Sequence, residues 1–446
     1  MKHARCRRPL PLVVALGTGL LPASAPRAAG GDAPMASTLT LTDAVARFRA
    51  QGFDLLVADA DVEASAGDVV AATAVPNPGA SAGYLRSFFS DGLFETHNGW
   101  QVGLTDSNAI ADALAGKRGL RGRVARAALA AAQERRLDVR RTLELAVKSQ
   151  FVNTAAAAAL LRVAGDILDS ADHTYGLNLV RFQRGAISEV DLARTETAKL
   201  EAQQGLDAAE QTLEQAKVTL AFLIGQRTPD VRYEIDPAQI NFRVPDALAR
   251  ATVASLLDAA RAARPDLLAQ RQQAARARAT TDLVRRSRVP DLALGVGYQQ
   301  QGSASGGPGG AQPIAPPTVQ ITLTGTLPLF YQQQGEIRRA DADRAAQEAL
   351  AAKAEAQVVS DVQAAFVAYR ASRTQVTRMQ ERLLERARRA RDLTAVQYEK
   401  GAASLLEYLD AQRTYSAVNA EYWQDLANYW NAVFQLEAAS ATELSS

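Results

Sequence analysis

Hydrophobic positions along this chain keep two different periods, in alternating blocks. Ala202, Leu206, Ala209, Leu213, Ala216, Leu220 and Leu223 recur at gaps of four and three. That spacing is the seam of a coiled coil, with small Ala layers between Leu layers. Ala411, Tyr415, Val418, Tyr422, Leu426, Tyr429, Val433 and Leu436 keep a similar spacing with one extra gap of four. From Lys117 to about His173 there is no proline, and Ala, Arg, Leu, Glu and Gln prevail. This composition predicts a single helix of roughly 85 Å. Helix packing accounts for these stripes without any ligand.

Shorter blocks alternate strictly. Leu292, Leu294, Val296 and Tyr298 interleave with Ala293, Gly295 and Gly297, and Val319, Ile321, Leu323 and Leu327 with Gln320, Thr322, Thr324 and Thr326. Trp100, Val102 and Leu104 stand against Gln101, Gly103 and Thr105, and a weaker strand is expected near Ala80 to Phe88. Such alternation predicts strands with one apolar and one polar face. Gly302 to Pro317, rich in Gly, Ser and Pro, reads as an open loop. Phe88, Phe89, Phe94, Trp100, Phe330 and Tyr331 gather near strand ends, as an interfacial girdle in a membrane requires. Two readings stand: a sheet packed on helices in a soluble protein, or part of a transmembrane barrel. Four strands cannot close a barrel alone, since single-chain barrels need about eight. Open edges in lipid would leave backbone groups unpaired at several kcal/mol each. Several copies would have to share one barrel.

The chain also repeats itself. Asp54-Leu55-Leu56 followed by Pro78 recurs as Asp266-Leu267-Leu268 followed by Pro290, an offset of 212. Leu104-Thr105 recurs as Leu323-Thr324, and Arg181-Phe182-Gln183-Arg184-Gly185-Ala186 as Gln397-Tyr398-Glu399-Lys400-Gly401-Ala402, so the offset stays between 212 and 219. A unit this long is no solenoid repeat, and two copies suggest a pseudo-twofold protomer. The expected organisation is a signal peptide over 1–25, an N-terminal segment 26–37, a first repeat 38–225 with a β-hairpin at about 79–106, a linker 226–250, a second repeat 251–440 with a β-hairpin at about 291–328, and a tail 441–446.

The first residues read as an export signal. Lys2, Arg5, Arg7 and Arg8 precede an apolar run from Leu10 to Leu21, and Ala23-Ser24-Ala25 offers a cleavage point. Its loss would move the formal charge from +2 to −2, a balance that gives no support to nucleic-acid binding. The single cysteine, Cys6, would leave with it, and its place before the apolar run is not that of a lipid-attached cysteine. No later stretch approaches the ~18 apolar residues of a membrane helix.

The order helix, hairpin, long helix, turn, long helix, given twice over residues 38–440, resembles the TolC-like outer-membrane efflux factors. The two turn motifs carry the resemblance most sharply: Arg181 to Leu192, and Gln397 to Ala411. It implies a mainly α fold with a small β part, in which long coiled-coil hairpins form a periplasmic tunnel. Four strands per protomer would enter a shared twelve-stranded barrel in the outer membrane, closed by a homotrimer. The implied role is the passive exit duct of a tripartite pump, with a periplasmic adaptor and an inner-membrane pump, of RND type, as partners and no cofactor. In that family the hairpin tips meet the adaptor, which marks Arg184, Gly185, Ala186, Ser188, Lys400, Gly401, Ala402 and Ser404. Gly185 and Gly401 also suit tight turns, and Ser188 and Ser404 can cap the next helices with Asp191 and Glu407 completing capping boxes. Both roles are compatible.

The resemblance further places acids at a tunnel constriction, which here means Glu407, Asp410 and Asp191. In a trimer, Glu407 and Asp410 would form stacked negative rings, or they are an ordinary solvated helix face. Ala403 stands where a basic latch residue is expected, which puts a salt-bridge lock in doubt. Asp166, Asp169 and Asp172 before His173 do not amount to a metal site, because His97 and His173 lie far apart in the sequence. No nucleophile triad, nucleotide loop or paired-cysteine motif argues for an enzyme. A periplasmic coiled-coil structural or adaptor protein is the other class, but it gives no reason for the strands. Ala115-Gly116-Lys117-Arg118 with Arg121 resembles the heavy-metal (CzcC-like) branch, which implies divalent heavy-metal cations as cargo. Drugs and solvents, or type I secretion, are the alternatives.

Overall fold

The computed structural model describes residues 38–86, 98–228, 233–301 and 317–445. The expected signal and N-terminal segment over 1–37, Phe88, Phe89, Phe94, His97 and residues 302–316 of the loop lie outside the described residues.

Two parallel sets of elements follow the duplication. The first runs α1 (Leu41–Gln51), α2 (Phe53–Thr73), β1 (Gly79–Arg86), β2 (Asn98–Thr105), α3 (Ala109–Leu114), α4 (Lys117–Gln183) and α5 (Glu189–Leu223). A 3-10 turn, Pro237–Ile240, and α6 (Asp246–Arg250) link the copies. The second runs α7 (Val253–Ala263), α8 (Pro265–Arg286), β3 (Leu292–Gln301), β4 (Thr318–Gly325), α9 (Gln334–Arg378), a π turn at Met379–Leu383, α10 (Leu384–Glu399) and α11 (Leu405–Ser440). α1 and α7 are both 11 residues long. Each is N-capped by a threonine side chain, Thr40 or Thr252, that accepts a bond from the third helical residue's N–H. α4 is 67 residues long, about 100 Å.

The helices form one layer. On the sheet side its order is α2, α4, α8, α9; on the hairpin side it is α5, α4, α11, with α9 and α10 beyond. α4 is therefore a spine that meets a different pair of helices at each end. Its seam partner in α5 is the one read from the sequence: Ala202, Leu213 and Leu220 are buried and the intervening seam residues half-buried. An 18-residue window of α4 has mean hydropathy 1.4, enough by length and composition for a membrane span, although Thr154 and Arg162 bound its unbroken apolar run. Ala155, Ala156, Ala157 and Ala159 there are buried, as small residues in a tightly packed helical core.

The main core lies at the middle of the molecule, where the linker wraps the layer. Phe48, Phe151, Leu220, Leu267, Val433 and Leu436 are fully enclosed there. Linker backbone groups buried with them are bonded: Tyr429 Oη donates to the Arg243 carbonyl at 2.8 Å, and Trp430 Nε1 to the Ile240 carbonyl at 2.9 Å. An unpaired carbonyl at either place would cost about 1–3 kcal/mol. This explains why α11 is apolar nearly all round its C-terminal end.

The sheet is antiparallel in the order β1-β2-β3-β4. Its register pairs Tyr84 with Trp100, Val102 with Tyr298, and Val296 with Ile321. Directly opposed residues share a face, so one face gathers Tyr84, Trp100, Val102, Leu104, Tyr298, Val296, Val319, Ile321 and Leu323. The other gathers Ser81, Gln101, Thr105, Gln299, Gln320 and Thr322 with glycines between them. The apolar face is bare in the protomer: Ile321 is 75 % exposed and Val319 68 %. β4 stops at Gly325, short of Leu327, because β3 begins at Leu292 and leaves nothing beyond it to pair with.

Candidate channel wall and hairpin tips

The joint between sheet and helices is built by the Gly-Lys-Arg motif. Gly116 takes a positive φ of 69° at the start of α4. Lys117, 5 % exposed, then donates to the Val289 carbonyl at 2.6 Å and to Asp291 Oδ1 at 2.7 Å, just before β3. Arg121 forks onto Asp112 of α3, with Nη1 to Oδ1 at 2.9 Å, and Arg286 donates to the Ala115 carbonyl at 2.6 Å. These contacts tie both copies together where the sheet begins. The motif has a structural task that is indifferent to cargo.

At the opposite end both tips close by the same hydrogen bonds. The Gly185 N–H donates to the Phe182 carbonyl at 2.8 Å and the Ala186 N–H to the Arg181 carbonyl at 2.9 Å. Gly401 and Ala402 repeat this onto Tyr398 and Gln397, at 3.1 and 2.8 Å. This is the Schellman closure, which needs a left-handed residue; Gly185 has φ 71° and Gly401 φ 77°. Arg184 and Lys400 are the C-cap residues, and both are exposed with Gly185, Ala186, Gly401, Ala402, Ser188 and Ser404. The expected adaptor-contact residues therefore form two bare tips.

The capping differs between the copies. Ser404 Oγ accepts from the Glu407 N–H at 3.3 Å, and Glu407 Oε2 accepts from the Ser404 N–H at 2.8 Å, a complete capping box. Those backbone and hydroxyl bonds from Ser404 hold the Glu407 carboxyl below the usual range. Ser188 caps α5 through the Asp191 N–H at 3.2 Å, but Asp191 only accepts from the serine hydroxyl, at 2.8 Å. The box expected there is incomplete because aspartate is one methylene shorter than glutamate. Asp191 also lies 3.6 Å from Arg194. Asp410 is exposed and makes no hydrogen bond or ion pair with the described residues. Of the three acids expected at a constriction, it alone is uncommitted.

Sequence reasoning missed the clasp between the hairpins. Tyr398 Oη donates to Asn178 Oδ1 at 2.7 Å in a buried setting, and the Tyr398 and Tyr408 rings stack with centroids 5.1 Å apart. Thr174 Oγ1 reaches Tyr408 Oη at 3.3 Å, and the Arg181 guanidinium sits 5.0 Å from the Tyr398 ring centre. The first copy carries Phe182 and Leu192 at the matching places. That double gain of a hydroxyl was the available signal. In the acidic row, Asp172 pairs with Lys199 at 2.5 Å. Among the described residues no group of three or more His, Asp or Glu could hold a metal ion.

Comparison with known proteins agrees with this architecture. The family model for the outer membrane efflux protein matches residues 45–226 and 256–442, one segment per copy. The chain is 25 % identical over 423 residues to the cobalt-zinc-cadmium resistance protein CzcC of Cupriavidus metallidurans, covering 94 % of this chain and 93 % of that one. It is 28 % identical over 298 residues to the pyoverdine export outer membrane protein OpmQ of Pseudomonas aeruginosa, covering 66 % of this chain and 60 % of that one. The fold matches the Campylobacter jejuni CmeC outer membrane channel with a TM-score of 0.75 at 19 % identity, over 93 % of this chain and 91 % of that one. The chain therefore belongs to the outer membrane efflux protein family, as an outer-membrane channel with its helical part in the periplasm.

Proposed function

We propose that three copies close a twelve-stranded barrel that continues into a helical tunnel, and that the tunnel discharges divalent heavy-metal cations delivered by an inner-membrane RND-type pump through a periplasmic adaptor. The observation that carries the assembly is the sheet: an exposed apolar face, a polar face of Gln, Thr and Gly, and two unpaired edges at β1 and β4. In lipid such edges must be closed by another chain. Arg184, Gly185, Ala186, Ser188, Lys400, Gly401, Ala402 and Ser404 are the proposed adaptor contacts, supported by their exposure at the two tips. Glu407, Asp410 and Asp191 are the proposed constriction.

The metal cargo is supported by the near full-length similarity to the cobalt-zinc-cadmium resistance protein. The similarity to the pyoverdine exporter supports a second reading, an organic cargo. A deletion strain set against its complemented parent separates them, on a panel of zinc, cobalt, cadmium, nickel, copper and several drugs. Sensitivity to metals alone is the expected result. Drug sensitivity with unchanged metal tolerance would overturn the metal reading and leave the duct.

A further inference from the structure

The two outer edges of the hairpin layer differ in charge. α5 packs on α4 at one edge, while α9 and α10 pack on α11 at the other. α5 carries seven acids and three bases, whereas Arg370 to Arg391 holds eight bases and two acids. Along α9–α10, Arg378, Arg382 and Arg386 line an open groove of about 770 Å³ that also holds one acid, Glu421 of α11. They have no hydrogen bond or ion pair with the described residues, and all three are exposed. Exposed Leu383 and Leu393 accompany them. On α5, Asp207 and Glu210 are likewise exposed and unpaired among the described residues, and exposed Glu214 makes only a 2.9 Å pair with Lys217 of its own helix. Exposed Leu200 accompanies these acids.

Two independent features join these edges. In the duplication α4 corresponds to α9–α10, and α5 to α11. The α4–α11 contact made inside the chain thus has a counterpart, α10–α5, which the chain does not make with itself. The second feature is height. Arg413, 9 residues past Ser404, pairs at 3.2 Å with Glu201, 13 residues past Ser188. The first tip therefore reaches about four residues, roughly 6 Å, beyond the second. Counted back from Lys400, Arg386, Arg382 and Arg378 are at 14, 18 and 22. Counted forward from Ser188, Asp207, Glu210 and Glu214 are at 19, 22 and 26. With the stagger included, each arginine comes level with one acid to within one residue.

We infer that the Arg378, Arg382 and Arg386 edge of one protomer docks on the Asp207, Glu210 and Glu214 edge of a second copy of this chain, head to tail. The inference rests on the ring proposed above. A heterologous contact of this kind closes when the rotation per subunit completes a circle. Opposite charges on the two edges favour this pairing and reject acid-to-acid and base-to-base contacts between copies.

The test uses the full-length protein extracted from membranes in mild detergent, in a Cys6→Ser background that leaves no native thiol. Arg382→Cys with Glu210→Cys, treated with a short bismaleimide, should give a ladder up to covalent trimer, while Arg382→Cys with Asp68→Cys on α2 should stay monomeric on a denaturing gel. Separately, the triple reversal of the arginines to Glu should lower the trimer fraction several-fold. So should the triple reversal of the acids to Lys, and combining the two should restore it. A trimer by light scattering that neither cross-links nor responds to the reversals overturns this contact and leaves the ring intact. A monomer by light scattering, in the unaltered protein at any concentration, overturns the ring and the contact with it.

Discussion

Arg264 is the most enclosed charge in the core, and replacing it gives a sharp test of how the second copy is anchored. Its side chain is 5 % exposed and donates to Asp266 at 2.7 Å, to Asp361 at 2.6 Å and to the Ala439 carbonyl at 3.4 Å. It thereby joins the start of α8 to α9 and the end of α11. Arg264→Met keeps most of the volume and removes every donor. Breaking a buried pair from one side costs roughly 3–5 kcal/mol. Asp266 and Asp361 keep about a third of their own exposure, so water recovers part of the loss and about 3 kcal/mol is the reasonable figure. Global melting of such a protein is a rate measurement, so local opening should be read by amide exchange at the start of α8. About 3 kcal/mol corresponds to roughly a hundredfold faster exchange there. Acid supplies a second readout. Burial works against the Asp266 carboxylate, but the hydrogen bonds and charge of Arg264, with Arg141 nearby, outweigh it and hold the group below its usual range. A depressed carboxylate stabilises the fold fully above its unfolded value of about 4 and loses that contribution as pH falls through the folded value. Arg264→Met should flatten this acid limb, and adding Asp266→Asn with Asp361→Asn should recover part of the protection. Unchanged exchange at neutral pH in Arg264→Met would refute the assignment of the arginine as an anchor.

Three further pairs of substitutions test other parts of the structure. Ile321→Lys, on the bare apolar face, should cost about 2–4 kcal/mol of barrel stability if it lies at the membrane midplane, read as lost heat-resistant trimer; adjacent Thr322→Lys should assemble normally and shift ion selectivity, and the reverse pattern would invert the sheet. Gly225→Ala should destabilise far more than Gly185→Ala: both have positive φ, worth about 1–2 kcal/mol, but a Cβ at Gly225 would stand 2.4 Å from the Gln51 carbonyl while none meets anything at Gly185. Equal amide exchange in the two variants would remove the packing argument. At the second tip, Asp410→Asn should lower cation preference in planar-bilayer recordings, whereas Glu407→Gln should chiefly loosen the α11 cap and raise exchange at its first turn; unchanged selectivity in Asp410→Asn would exclude it from the conducting path.

Much of the fold was legible because it rests on periodicity. Stripes of 3.5 residues and strict alternation leave little freedom over a 67-residue helix or an eight-residue strand, and the duplication checked each reading against a second copy. What stayed hidden depends on which side chain meets which across the layer. The Tyr398–Asn178 bond joins residues 220 apart, and no local pattern reports such a distance. Lys117 shows the converse. Its motif was visible and suggested a cargo branch, yet the side chain is buried in the joint with Val289 and Asp291. A short motif whose side chain is spent on a structural joint carries no vote on substrate. Glu407 and Asp410 looked equivalent by spacing; only the capping bonds separate them.

The duplication also explains where the two copies had to diverge. Two identical repeats would make the α10–α5 contact between chains the same as the α4–α11 contact within one, and a hairpin could not then tell its own chain from a neighbour's. They would also allow a tunnel of indifferent size, because each hairpin would be interchangeable with the next. Divergence is concentrated where it breaks that equivalence. Tyr398 and Tyr408 replace Phe182 and Leu192, so one inter-hairpin contact within the chain is fixed by the hydroxyls bonded to Asn178 and Thr174. The segment from Arg370 to Arg391 turned basic where residues 154–175 of α4 hold one arginine and three aspartates, while α5 stayed as acidic as α11, so the contact inferred between copies is left open at both edges of one chain. A seam held by buried hydrogen bonds inside the chain and by exposed charges between chains yields unequal interfaces. The weaker one is the natural place for a hairpin to move, because exposed ion pairs are worth only about 0.2–1 kcal/mol each and are screened by salt. The two tips beyond it differ in their capping bonds as well: the box is complete at Glu407 and incomplete at Asp191.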